Sequence, residues 1–171
     1  MKNINIRLLD DNDAKEYALT LNNQEVQRFL SDDLNYPYTQ EDSLNLIQSI
    51  DKDNFLVFGI LYNDHIVGGF TLKRLSGIER YTGEITYHLL PDYHGKGIAF
   101  KALLLLLGYI YQETNIARIQ CKVFQDNLEL MQLLEKVGFK FEGRMRSSAI
   151  KNNKMIDMRL YSLTREEIKV K

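Results

Sequence analysis

The chain has 171 residues, a formal charge of −1 and 44% hydrophobic side chains, which predicts one globular domain over residues 1–171 and excludes a disordered or low-complexity protein. The nearly balanced charge gives no indication of a nucleic-acid or membrane partner. A single cysteine, Cys121, excludes a disulfide framework and is expected to be a buried thiol. Without an apolar leader or an apolar run of ~20 residues, a cytoplasmic protein is expected, and no metal site is predicted.

Charge is divided unevenly along the chain. Residues 1–64 carry 12 acidic and 5 basic side chains, whereas residues 65–171 carry 11 acidic and 17 basic ones. Two ordinary solvated faces would give this division, and so would a protein that binds a cation with one half and an anion with the other.

The first half of the chain changes from helical to strand-like patterns. The alternating segment NINIRLL predicts an edge strand, and Thr39 is a candidate helix N-cap. Three β-rich runs follow, FLVFGILY, HIVGGFTLKRL and TGEITYHLL, and Gly68–Gly69 in the second predicts a bulge or a close backbone approach. The helices predicted in this half span Asp13–Asn22, Gln24–Leu30 and Gln40–Ile50.

The second half continues with alternating helices and strands. A helix is predicted over Gly97–Glu113, a strand at ARIQCKVF, and a helix over Asn127–Val137 with Gly138 as its C-cap. Two strands then flank the turn KNNK, over Phe139–Ala149 and Lys154–Leu163. This order predicts a mixed α/β class with one central sheet.

The segment PDYHGKGIAFKA, residues 91–102, places two glycines and a lysine between a strand and a long helix. The first N–H groups of a helix have no partner within it, and glycines let the backbone approach an anion, so a phosphate site is predicted. A nucleotide P-loop is excluded by Leu90 and Gly97 at its fixed positions, and the dinucleotide fingerprint by Phe100. A plain turn at the start of a helix is the alternative.

Three segments resemble the GNAT superfamily of N-acetyltransferases. HGKGIA, residues 94–99, resembles the signature Gln/Arg-x-x-Gly-x-Gly/Ala, with His94 at the Gln/Arg position. DNLELMQLLEKVGF resembles the family's Asn-x-x-Ser…Glu-Lys-x-Gly-Phe helix, and FEGRMRSSAIKNNKMIDMRLYSL resembles the tail of the RimJ/RimL-type branch. The resemblance covers nearly the whole chain and implies a single GNAT-like α/β (α+β) domain, with a central mixed, mostly antiparallel twisted sheet flanked by helices.

The resemblance also implies acetyl-CoA as cosubstrate. The glycine loop would hold its pyrophosphate through backbone amides, the strand before the loop would offer backbone groups to the pantetheine arm, and Asn127 would bind that arm from the next helix. The residues that the resemblance assigns to the cofactor are His88, Leu89, His94, Gly95, Lys96, Gly97, Ile98, Ala99 and Asn127.

Acetyl transfer to an amine requires a base, because an alkyl ammonium with a pKa near ~10.4 is almost fully protonated at neutral pH. Glu84 is the predicted catalytic base, since some GNAT enzymes place a glutamate on this strand. Period-two alternation puts Glu84, Thr86 and His88 on one face. Two alternatives remain: Glu84 is a structural carboxylate, or His88 is the base.

The sequence departs from the family at two positions. Leu130 stands where a serine is common, and Leu134 where many members carry a tyrosine that acts as general acid. The acid could then be Tyr87, Tyr93 or a water molecule, or CoA could leave as the thiolate.

The acidic N-terminal part is expected to wall an acceptor site for a primary amine: a protein N-terminus, a polyamine or an aminated small molecule. A homodimer is allowed by analogy with the family. Two other functions stay open, a catalytically inactive acyl-CoA-binding module and a GNAT domain that serves as a subunit of an assembly. The acids that lie in this part of the chain include Asp10, Asp11, Asp13, Glu25, Asp32 and Asp33.

Overall fold

The computed structural model describes residues 3–169. In chain order, the strands are β1 Ile4–Leu8, β2 Phe55–Tyr62, β3 His65–Arg74, β4 Thr82–Leu89, β5 Arg118–Phe124, β6 Lys140–Lys151 and β7 Lys154–Thr164. The helices are α1 Ala14–Leu21, α2 Gln24–Gln27, α3 Gln40–Gln48, α4 Ile98–Glu113 and α5 Leu128–Val137.

The seven strands form one sheet in the order β1-β2-β3-β4-β5-β7-β6. Among the described residues, β4 and β5 are the only neighbours that run parallel, and they are joined by the crossover helix α4. The predicted fold class, a mixed and mostly antiparallel sheet with flanking helices, is therefore confirmed, as is the edge position of β1.

Local signals in the sequence fix the turns and helix ends. Asn63 and Asp64 both adopt positive φ angles, as a two-residue hairpin between β2 and β3 requires. Thr39 caps α3 in a reciprocal capping box with Asp42. Gly138 ends α5 in the left-handed conformation with φ 117°.

The helices cover the two faces of the sheet with separate apolar clusters. On one face, α4 and α5 bury Leu106, Ile110 and Leu134 completely. On the other face, α1 and α3 pack Tyr17 and Ile47 against the first strands. Hydrophobic burial on both faces holds the sheet rigid beneath the site described below.

The glycine pair in β3 allows two close approaches. A Cβ at Gly68 would lie 2.3 Å from the carbonyl oxygen of His88, and one at Gly69 would lie 2.7 Å from the Tyr17 ring. The register between β2 and β3 also shifts beside Gly68. Both predicted features, a bulge and close backbone contact, are confirmed, and Gly69 lets α1 pack closely against β3.

The predicted helix Gln24–Leu30 is wrong in its C-terminal half, because α2 ends at Gln27. Beyond this point the backbone continues in tighter turns. The carbonyl groups of Gln27 and Leu30 accept hydrogen bonds from Lys151 Nζ at 3.0 and 2.7 Å. Lys151 lies at the end of β6 and also pairs with Asp32, so the β6–β7 hairpin fixes the position of α2.

No helix within residues 3–169 combines the length and the apolar character needed to cross a lipid bilayer. Cys121 is 2% exposed in β5, and burial raises the pKa of its thiol to about 12. A buried thiol with so high a pKa remains protonated, which confirms the predicted burial and gives this side chain no nucleophilic role.

Candidate functional site

The site begins where β4 and β5 separate. Their parallel pairing covers only three residue pairs and ends at Glu84 opposite Gln120. Strand β5 continues to Phe124 against β7, and β4 continues to Leu89 against β3. The two strands thus leave a gap in the sheet that widens toward their carboxyl ends.

A cavity of about 380 Å³, here called the gap cavity, occupies this opening. Strand β4 contributes Tyr87, His88 and Leu89 to its wall, α2 contributes Glu25 and neighbouring side chains, and the first turn of α5 closes the opposite side. A cavity of this size fits part of a small-molecule ligand. Four predicted cofactor residues line it, namely His88, Leu89, His94 and Asn127.

The glycine loop continues from the edge of this cavity. Gly95 and Gly97 have φ angles of 69° and 75°, and α4 begins directly afterwards at Ile98. Within the part of the chain that the structure describes, the backbone N–H groups of residues 95–100 donate to no protein acceptor. A Cβ at either glycine would meet no heavy atom within 4 Å, so the loop backbone is open to a ligand.

His94 ties the loop to both walls of the cavity. Its Nε2 donates to the carbonyl of Leu89 at 2.9 Å, and its Nδ1 lies 3.1 Å from the carboxylate of Glu129 in α5. Lys96 is exposed and places its ammonium 5.5 Å from the ring centre of Tyr93. His94 therefore braces the loop between β4 and α5, while Lys96 stays free to move toward an anion.

Asn127 is the N-cap of α5 as well as part of the cavity wall. Its Oδ1 accepts a hydrogen bond from the backbone N–H of Leu130 at 3.2 Å. Capping uses the carbonyl oxygen of the side chain and leaves its NH₂ group as a donor. The predicted binding role of Asn127 therefore depends on Nδ2.

Glu84 lies at the closed end of the gap, outside the lining of the cavity. Its Oε2 accepts a hydrogen bond from Gln120 Nε2 at 2.7 Å and lies 3.3 Å from Lys122 Nζ. Its side chain is 23% exposed. The amide donor and the nearby ammonium hold this carboxylate oxygen in place.

His88 is buried between β4 and α1 and is 8% exposed. Its Nε2 lies 2.8 Å from Thr20 Oγ1, and Tyr17 packs edge-on against the ring with centroids 5.5 Å apart. Burial lowers the pKa of His88 to about 3, because the imidazolium would lose its hydration. The neutral ring is too weak a base for an alkyl ammonium, whose pKa lies about 7 units higher.

The buried histidine predicts acid-sensitive stability. Between pH 3 and 6.5 the unfolded chain binds a proton that folded His88 does not, so stability falls as the pH falls through this window. We expect the free energy of unfolding to drop by ~1.5 kcal/mol from pH 6.5 to 5. Urea denaturation at each pH measures it. An identical drop in His88→Asn would contradict the assignment.

Of the two tyrosines considered as general acid, Tyr87 lines the gap cavity, whereas Tyr93 packs against Tyr62 with ring centroids 5.6 Å apart. Burial and the nearby carboxylate of Glu129 raise the pKa of Tyr87, so its phenol keeps its proton at neutral pH. Leu134 is fully buried in the core and Leu130 is 8% exposed.

The acidic N-terminal residues mostly serve the fold. Asp10 caps the 3-10 turn before α1, and Asp13 pairs with Arg7 through two hydrogen bonds of 2.6 and 2.8 Å. Asp32 is paired with Lys151. Of the six acids noted in this part of the chain, Glu25 alone lines the gap cavity. Charge counted along a sequence does not show which carboxylates already have partners, and only the structure separates Glu25 from the paired acids.

Sequence reasoning missed the α2 side of the site. Arg28 and Phe29 line the gap cavity together with Val26. The guanidinium of Arg28 lies 4.8 Å from the Phe29 ring centre, and that ring packs edge-on against Phe124 at 5.9 Å. The only signal in the sequence is an apolar, a basic and an aromatic residue at the end of a short helix and in the turn after it, which is common on ordinary surfaces.

Comparison with known proteins identifies the family that this chain resembles. The family model described as acetyltransferase (GNAT) domain matches residues 6–160. The probable N-acetyltransferase YjcK of Bacillus subtilis (strain 168) is 31% identical over 155 residues, which cover 86% of each chain.

Two solved structures share the fold at low identity. RimL, a ribosomal α-N-protein acetyltransferase in complex with coenzyme A, has a TM-score of 0.85 at 21% identity and covers 94% of this chain and 93% of its own. Spermidine N-acetyltransferase from Vibrio cholerae, in complex with CoA and spermine, has a TM-score of 0.82 at 20% identity, covering 96% and 97%. With the family match spanning most of its length, this chain belongs to the GNAT family of acetyltransferases.

Proposed function

We propose that this N-acetyltransferase carries out acetyl transfer from acetyl-CoA to a primary amine at the gap between β4 and β5, in one ternary complex. The observation that carries the proposal is the row of free N–H groups over residues 95–100 beside the gap cavity. Two glycines without obstruction in front of them and the start of α4 fit the diphosphate of the cosubstrate.

Bound acetyl-CoA supplies an activated acetyl thioester, and the residues of the chain orient it and move protons. The amides of the glycine loop, including Gly95, Gly97 and Ala99, bind the pyrophosphate. The backbone of His88 and Leu89 on the free edge of β4 and the Nδ2 of Asn127 hold the pantetheine arm across the gap cavity.

Glu84 is the proposed base. Its carboxylate takes the proton of the acceptor ammonium, directly or through a water molecule, and a positioned base of this kind contributes roughly 10²–10⁴ in rate. Gln120 and Lys122 support this role because they hold one carboxylate oxygen in place. The amine then attacks the thioester, so no covalent link to the protein is needed.

Tyr87 is the proposed donor for the leaving sulfur. It lines the gap cavity, and its raised pKa keeps the phenol protonated. Leu130 and Leu134 leave their two positions without a proton donor, so a neutral thiol requires a donor elsewhere, and Tyr87 is the proposed one.

The acceptor class proposed is a protein N-terminus or a polyamine in the cytoplasm. RimL is named as a ribosomal α-N-protein acetyltransferase, and the neighbour from Vibrio cholerae acts on spermidine. Glu25 supports a cationic acceptor, because its exposed carboxylate lines the gap cavity opposite β4.

The test is a calorimetric titration with acetyl-CoA, followed by a thiol-release assay against N-terminal peptides and polyamines. Binding with release of CoA is expected. The competing function, an acyl-CoA-binding module without catalysis, is favoured by the leucines at positions 130 and 134. Tight binding of acetyl-CoA, without release of CoA in the presence of any of these amines, would instead support the binding module.

A further inference from the structure

We propose that His88 Nδ1 is a built-in hydrogen-bond acceptor that receives an N–H group of a ligand bound in the gap cavity. This inference rests on the proposed function for the identity of the ligand, but the geometry behind it belongs to the free protein. It assigns the His88 side chain a binding role on the wall of the cavity, separate from that of its backbone.

The first step is the tautomer of His88, which follows from counting donors. Thr20 Oγ1 lies 2.7 Å from the carbonyl oxygen of Tyr17, and this oxygen can only accept. The single hydroxyl proton of Thr20 is therefore used in that bond. The 2.8 Å contact between His88 Nε2 and Thr20 Oγ1 then requires the proton to be on Nε2. In the neutral ring, Nδ1 carries the lone pair.

The second step is the surroundings of Nδ1. Among residues 3–169, no donor contacts this nitrogen. Ser43 Oγ is the one fully enclosed side-chain N or O atom there that lacks a hydrogen-bond partner. Nδ1 is thus not sealed in the protein, although the His88 residue is 8% exposed. Since His88 lines the gap cavity, a ligand reaches the nitrogen from there.

The third step is the chemistry that this acceptor selects. A neutral imidazole nitrogen with a lone pair accepts a hydrogen bond from an N–H or O–H group. It has no proton to donate to a carbonyl or a carboxylate. The occupants proposed for the cavity carry two such donors, the amide N–H groups of the pantetheine arm and the N–H groups of the acceptor amine. The shared chemistry is an N–H donor, and the experiment separates the two sources.

Thr20 is the positioning residue for this acceptor. Its hydroxyl is completely buried and connects α1 to β4. Without it, the Nε2 proton would lose its partner, and the proton would be free to move to Nδ1. Such a change converts the acceptor in the cavity into a donor.

The tautomer is measured on the free, isotope-labelled protein by long-range ¹H–¹⁵N NMR. We expect the Nε2–H form in the wild type and in Thr20→Ser, which keeps the hydroxyl, and a mixture of tautomers in Thr20→Val. An Nδ1–H form as the main species in the wild type would overturn the proposal, whatever the protein catalyses.

The ligand is tested with His88→Asn and His88→Leu, two side chains of nearly the same shape, of which only Asn presents an acceptor near the Nδ1 position. We expect the Leu variant to lose about tenfold more affinity than the Asn variant. If the loss is in the Kd of CoA measured by calorimetry, the donor is the cofactor arm. A loss confined to the KM of the amine assigns the donor to the acceptor.

Equal Kd and KM values in the two variants would overturn the role of His88. Failure of the wild type to bind CoA would instead overturn the proposed function, and the tautomer measurement would still stand. The two failures are therefore distinguishable.

Discussion

Glu84→Gln is expected to lower kcat by about 10²–10⁴ at neutral pH, with little change in the Kd of acetyl-CoA. The amide has the shape of the carboxylate and still accepts from Gln120, whose Nε2 lies 2.7 Å from Glu84. It has no charge with which to take a proton from an ammonium. Because the side chain lies outside the lining of the gap cavity, cofactor contacts should persist. Steady-state kinetics and calorimetry measure the two quantities.

The matched control is Glu16→Gln. Glu16 in α1 is another hydrogen-bonded carboxylate, which accepts from the backbone N–H of Ile66 at 3.1 Å, contacts His65 and does not line the gap cavity. The same chemical change there should leave kcat unaltered. Equal turnover in wild type and Glu84→Gln would remove Glu84 as the base, and a slow control would point to a general loss of stability.

The elements could be predicted from the sequence because their signals are local. Alternation over four to eight residues identified the strands, the Asn-rich turns fixed the hairpins, and the glycine after α5 ended that helix. The glycine loop was found in the same way, since a strand, two glycines and a helix start are neighbours along the chain. The family resemblance then supplied roles that the residues alone left open.

The parts of the site that escaped prediction depend on contacts between distant segments. The last residue of α2 and the turn after it are held by Lys151, which lies more than 120 residues away and donates to the carbonyl groups of Gln27 and Leu30. The tautomer of His88 is set by Thr20, 68 residues away. The point at which β4 and β5 separate, at Glu84, is a property of the whole sheet. No pattern within a short window carries this information.

For the same reason, a count of acidic residues along the chain does not identify the carboxylates that are available to a ligand. Asp13 is held by Arg7, which lowers the pKa of the carboxyl through a side-chain hydrogen bond, and Asp32 is held by Lys151. A carboxylate that already has a cationic partner adds little attraction for a second cation. Glu25 differs because it lines the gap cavity. Its position in the fold, rather than its charge, distinguishes it from the paired acids.

The glycine loop, proposed above as the pyrophosphate site, is the subject of the other prediction with a large expected effect. Gly97→Val should weaken acetyl-CoA binding by about 10²–10⁴, because a branched side chain would stand where the pyrophosphate is proposed to lie, and the loop amides would lose two or more charge-assisted hydrogen bonds. Gly97 has a φ of 75°, so the substitution also strains the backbone, at a cost of about 1–3 kcal/mol. Calorimetry measures binding, and thermal denaturation measures the strain.

Gly77→Val separates the two effects. Gly77 has nearly the same φ, 64°, and an added Cβ would meet no atom within 4 Å, but it lies in the turn between β3 and β4 and away from the gap. The two variants should lose similar stability, while only Gly97→Val loses the cofactor. If Gly97→Val kept wild-type affinity, the anion would not lie on this loop. If both variants lost affinity together, strain rather than obstruction would be the cause.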